Sequence, residues 1–149
     1  FFFCIFVPHD MNGTVHSAQI VYLHEILQVT SQDGLSRWND MSVRVMGNLT
    51  SFNAELNRGA LTDCGHTLTF SAELLVDFPF KLGDTFVLIG ELKLEENHLI
   101  LIVRVWRNYT GVDRQLFDQA LQYRRKFEQL NHLTQAGPHV KPEKEKSSN

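Results

Sequence analysis

Three short stretches of this chain carry side chains whose types and spacing could do chemistry. In Cys64-Gly65-His66 a thiol and an imidazole stand two residues apart, the ingredients of a nucleophile and its base. In His24-Glu25 a histidine precedes a glutamate, the opening of a zinc-protease helix, but the second histidine that such a helix needs is missing. In Arg104-Val105-Trp106-Arg107 an indole sits between two guanidinium groups, a pattern that can stack on a base while the cations meet phosphates.

Each stretch also has a plainer reading. Cys64 and Gly65 are turn chemistry, and a nucleophile and its base are usually brought together from distant parts of a chain. The seven histidines, among them His9, His16, His24, His66 and His98, are scattered without metal-ligand spacing. Gly47, Gly59, Gly65, Gly83 and Gly90 are isolated, so no glycine-rich loop is present to cradle a phosphate. Trp106 can equally close the end of a hydrophobic core. The expectation is a protein that is not an enzyme and holds no metal or cofactor.

Composition narrows the partners. A chain of 149 residues with 43% hydrophobic and 21% charged side chains suits one globular domain, and eleven phenylalanines supply core bulk. Fourteen Lys and Arg against seventeen Asp and Glu leave a net charge of −3, which argues against gripping nucleic acid alone. Two cysteines, Cys4 and Cys64, are too few for a disulfide scaffold. Sequons at Asn12, Asn48 and Asn108 are the one sign of a secreted glycoprotein. The opening FFFCIFVPHD has seven apolar residues with no basic region before them, too short to span a bilayer and unlike a signal peptide. Residues 1–10 therefore read as a non-domain extension with Met11 the natural start, the other reading being the tail end of a genuine signal-peptide apolar region.

The elements that must position these side chains are mostly strands. Residues 15–29 are apolar and fit a strand or a short helix, and Thr30–Asp40 (TSQDGLSRWND) reads as a loop. Strands are expected at Ser42–Asn53, at Arg58–Asp63 before a turn at Cys64-Gly65, from His66 with Leu68, Phe70 and Ala72 on one face, from Thr85, and over His98–Trp106. The last of these is almost continuously apolar and calls for cover on both faces. Asp113 is placed to cap a helix in which Leu116, Ala120, Tyr123, Phe127 and Leu130 recur at steps of four and three, with Phe117, Leu121 and Leu133 widening the stripe. That helix is the expected cover for the fifth strand, and Gly137-Pro138 ends it. The charged residues 137–149 read as a disordered tail. Gly47 and Gly90 interrupt strands where glycine weakens pairing, so both mark a bulge, a bend or a close backbone approach in a small, sharply coiled barrel.

The stretches FPFKLGDTFVLIGEL and RNYTGVDRQLFDQALQYRRKF, preceded by YLHEI and VRVMGNL, resemble in order the landmarks of the Ten-one family, the small OB-fold subunit of the CST telomere-capping complex. The resemblance spans roughly residues 12–131. It implies an all-β, five-stranded OB barrel with a C-terminal α-helix, occupying residues 12–136, and no catalysis. It also implies a larger OB-fold partner of the Stn-one type, a third large subunit, single-stranded telomeric DNA bound by the complex, and support of fill-in synthesis by DNA polymerase alpha-primase in the nucleus at telomeres. The family places a late helical aromatic and a strand arginine at the partner interface, and these match Phe127 and Arg44; Asn131 stands where relatives can carry a basic residue. An independent reason to expect a partner is that the stripe is wider than one barrel can absorb. Two other readings stay open: an autonomous single-strand binder or small subunit of a replication-protein-A-like trimer, using Arg104, Trp106 and Arg107, and a secreted glycosylated domain.

Overall fold

The structure of the protein, a computed structural model, describes residues 17–135. Residues 1–10, Met11, the Asn12 sequon, His9, His16, Cys4 and the tail 137–149 lie outside them. The chain divides into two compact units, one ending at Gly111 and the other starting at Val112.

In the first unit the elements run β1 (Gln19–Ile20), α1 (Leu23–Leu27), α2 (Gln32–Trp38), β2 (Ser42–Asn53), β3 (Arg58–Asp63), β4 (His66–Ser71), β5 (Thr85–Glu95) and β6 (His98–Asn108). Pairing follows the order β2-β3-β4-β6-β5 and returns from β5 to β2, so five strands close into a barrel without a free edge. All these pairings are antiparallel except β4 with β6, where Phe70 faces Leu101 and Ser71 faces Ile102. β1 lies parallel against the start of β2. Two hairpins turn on pairs of residues with positive φ, Cys64 (47°) with Gly65 (79°) and Glu96 (47°) with Asn97 (66°), which matches the right-handed twist of the strands they join.

The alternation in the sequence becomes the inside and outside of the barrel. Val43, Val45 and Leu49 of β2, Leu68 and Phe70 of β4, Phe86, Leu88 and Leu92 of β5, and Leu101 and Val103 of β6 are buried in one core, and Phe78 joins them from the long β4–β5 loop. Leu23 and Ile26 of α1 belong to the same core. β6 carries consecutive buried residues at Leu99, Ile100 and Leu101, while from Arg104 onward its side chains are half-buried or exposed.

Both strand glycines sit at close backbone approaches. A Cβ on Gly90 would meet the Ile102 carbonyl oxygen at 2.0 Å and the Val103 Cα at 2.9 Å; one on Gly47 would meet the Thr62 carbonyl oxygen and the Leu61 Cγ, each at 2.9 Å. Beside Gly90 the register slips: Ile89 faces Val105 and Gly90 faces Val103, leaving Arg104 as an extra residue. This bulge switches the inward row of β6 from Val103 to Trp106.

The segment 30–40 departs from the expectation of a loop, because Gln32–Trp38 is helix α2. Ser31 caps it, its Oγ accepting from the Gly34 amide at 3.2 Å, and Leu35 and Trp38, three residues apart, both pack on the core. Tertiary packing outweighs a composition rich in turn formers. The ambiguous segment 15–29 resolves into both alternatives, strand β1 and helix α1, and these join the five strands and one helix that were expected.

In the second unit, α3 spans Arg114–Gln135. Asp113 caps it as its position suggests: its carboxylate accepts from the Leu116 amide and its carbonyl from the Phe117 amide, both at 3.0 Å.

Candidate partner-binding surface

The register of α3 gathers five of the expected partner residues on one stripe. Leu116, Ala120, Tyr123, Phe127 and Leu130 recur at the four-and-three spacing that keeps side chains on one helical face. All five are exposed, with Leu116 at 62%, Tyr123 at 71%, Phe127 at 64% and Leu130 at 61% of full accessibility. Leu133, at 72%, extends the apolar surface toward the C-terminus. Around the stripe the helix is held by ion pairs one turn apart, Arg114 with Asp118 at 3.0 Å and Arg124 with Glu128 at 2.9 Å.

The sixth expected residue, Arg44, lies in the barrel unit. It is half-buried, its guanidinium donates to the Tyr109 hydroxyl at 3.0 Å, and its Nε is buried without a hydrogen bond. Arg44 is thus neither freely solvated nor fully satisfied by the hydrogen bonds of the barrel unit. Tyr109, just past β6, was not singled out in the sequence. The only sign of it was a tyrosine following a strand, and the 65-residue separation from Arg44 hides the pairing.

The arginine–tryptophan segment does not come together as a stacking platform. Trp106 stands edge-on to Phe78 and Phe86, with ring centroids 5.8 and 6.1 Å away, so its indole packs on the core. Arg104, at the bulge, donates to Glu91 at 3.3 Å, and Arg107, the residue after Trp106, is exposed.

Nor does the thiol meet its imidazole. His66 Nδ1 lies 3.1 Å from the Cys64 carbonyl oxygen, and the Cys64 thiol lies 3.7 Å from Asp63. His24 stacks on Tyr22 at 5.3 Å. Among the described residues no group of three His, Cys, Asp or Glu side chains is placed to hold a metal ion. The two described sequons are tied into the fold: Asn48 accepts from the Thr85 hydroxyl at 2.8 Å, and the Asn108 amide donates to Asp84 at 2.9 Å.

Comparison with known proteins fits this geometry. A family model described as telomere-capping, CST complex subunit matches residues 14–131. The CST complex subunit TEN1 of Arabidopsis thaliana is 32% identical over 89 residues, covering 58% of this chain and 70% of that protein. Of solved structures, the S. pombe Stn1-ten1 complex superposes with a TM-score of 0.57 at 16% identity, over 74% of this chain and 94% of the matched one. The S. pombe telomere capping protein Ten1 does so with a TM-score of 0.57 at 15% identity, over 74% and 99%. At such identities the superpositions speak for the fold, which is the OB fold. The closed five-stranded barrel, the helix that follows it and the family match over most of the sequence agree: this chain belongs to the Ten1 family of telomere-capping CST complex subunits.

Proposed function

We propose that the protein is a non-catalytic OB-fold subunit that pairs with a larger OB-fold subunit of the Stn1 type through the α3 stripe, with Arg44 contributing from the barrel. The observation that carries this reading is the exposure of Leu116, Tyr123, Phe127 and Leu130 on one helical face. Burying three such side chains contributes about 5–9 kcal/mol gross, at ~1.5–3 kcal/mol each, against an association cost of similar size. A few anchors therefore decide the affinity. The Stn1-ten1 complex of S. pombe supports the pairing. In this reading the pair joins a third, larger subunit, binds single-stranded telomeric DNA as a complex in the nucleus, and supports fill-in synthesis by DNA polymerase alpha-primase.

The test is co-purification of the tagged chain from its source cells beside a Phe127→Glu variant, with the captured proteins identified by mass spectrometry. Phe127 is exposed, so the variant keeps its melting temperature. The expected outcome is a larger OB-fold protein captured by the wild type and lost from the variant; equal capture by both would remove α3 from the interface.

A further inference from the structure

A second apolar surface lies in the barrel unit, independent of α3. Among that unit's described residues, the exposed large apolar side chains are Leu56, Leu74, Val76, Phe80 and Leu82. All five fall on two loops, the β2–β3 turn and the long β4–β5 loop. The loops are neighbours, since the Ala72 amide donates to the Asn57 carbonyl at 2.8 Å. Phe80 lies flat on Phe52, with centroids 4.7 Å apart and an interplanar angle of 5°, and Phe52 packs in turn on Phe78 at 5.6 Å and Phe70 at 6.4 Å. One face of the Phe80 ring is thus anchored to the core while the side chain remains 55% exposed. Next to it Asp77 holds a φ of 59°, a left-handed conformation that aspartate tolerates better than most residues, and Val76 is 83% exposed.

The charges around this patch choose among occupants. Glu55, Glu73 and Asp77 are exposed on the same two loops, against Lys81 alone. Arg58, at the start of β3, is committed to Glu95 through two hydrogen bonds of 3.0 and 3.2 Å. A nucleic acid strand or an anionic membrane would meet repulsion here, and a cationic polypeptide would meet attraction. We propose that these two loops form a second docking surface, which takes a basic polypeptide segment whose apolar side chains anchor on Phe80, Leu74 and Leu56.

The proposal is tested by nuclear magnetic resonance on the full-length 15N-labelled chain, titrated with a synthetic amphipathic peptide of leucines and lysines. Its leucine–glutamate counterpart, an oligo-dT strand and phosphatidylglycerol vesicles are titrated in parallel. The leucine–lysine peptide is expected to shift the amides of residues 54–57, 73–78 and 80–82, with loss of those shifts in Phe80→Ser. A Glu55→Lys, Glu73→Lys double variant changes only exposed side chains on ordinary backbone, so it keeps the test meaningful if Phe80→Ser unfolds; it is expected to bind about tenfold more weakly. The idea fails if the double variant binds the peptide as tightly as the wild type. It also fails if the leucine–glutamate peptide, the oligo-dT strand or the vesicles shift the same amides as strongly.

Discussion

Gly90 shows how a single atom constrains this barrel. The β6 backbone crosses so close that any Cβ at position 90 would lie 2.0 Å from a carbonyl oxygen, and a backbone oxygen, unlike a side-chain end, cannot swing aside. Gly90→Val is therefore expected to lower stability by well over ~1 kcal/mol, read as a fall in melting temperature. Gly47→Val should also destabilise, and by less, because its shortest clashes are 2.9 Å and one is with the Leu61 side chain. Equal melting temperatures for wild type and Gly90→Val would mean that β6 can move away and that the bulge at Arg104 is not pinned there. The sequence pointed to these two glycines because glycine in an apolar strand has a cost without an evident local gain. It did not reveal which backbone would press on each, since Ile102 and Thr62 reach their glycines only through strand pairing.

At the scale of elements, legibility followed the strength of the local pattern. The stretch Ser42–Asn53 is β2 to the residue, because alternation and its ending at turn chemistry are both local signals. Helix α3 was legible for the same reason: its four-and-three spacing runs through several turns behind an aspartate cap. Helix α2 was not, because seven residues containing a glycine carry too little periodicity, and what holds them is the packing of Leu35 and Trp38 on a core built later in the chain. Its one local signal is the Ser31 cap. Ser31→Ala should cost ~0.5–2 kcal/mol and Ser31→Asp far less, since aspartate caps as well as serine. Chemical denaturation followed through tryptophan fluorescence, Trp38 being part of α2, would check this; identical midpoints for all three proteins would show that packing alone holds the helix. The candidate surface divides in the same way. The α3 stripe was legible as a stripe, but only the structure shows that its aromatics are exposed, and the Tyr109 partner of Arg44 and the stacking of Phe80 on Phe52 join residues far apart in the chain.

For the whole molecule, charge and the fate of Trp106 bear on the same question, whether this subunit holds DNA alone. A single-strand binder of this fold needs aromatic faces open to bases along a cationic groove. Here the net charge is −3, Trp106 packs edge-on to Phe78 and Phe86, and Arg104 is paired with Glu91. The exposed Phe80 lies on one of two loops that carry Glu55, Glu73 and Asp77 against Lys81, a balance that disfavours a phosphate backbone. The isolated chain is therefore expected to show no saturable binding to a single-stranded telomeric oligonucleotide at near-physiological salt, measured by fluorescence anisotropy, and the proposed complex with a larger partner is expected to bind it. If the isolated chain did bind, the salt dependence would locate the contact. A slope near one or two phosphates that falls further in Arg107→Ala would place DNA on the end of β6, and the autonomous-binder reading would replace the partner-dependent one. Binding by the pair that was unchanged in Arg107→Ala, with none by the chain alone, would assign the DNA contacts of the assembly to the partner and leave this subunit the role of holding that partner in place.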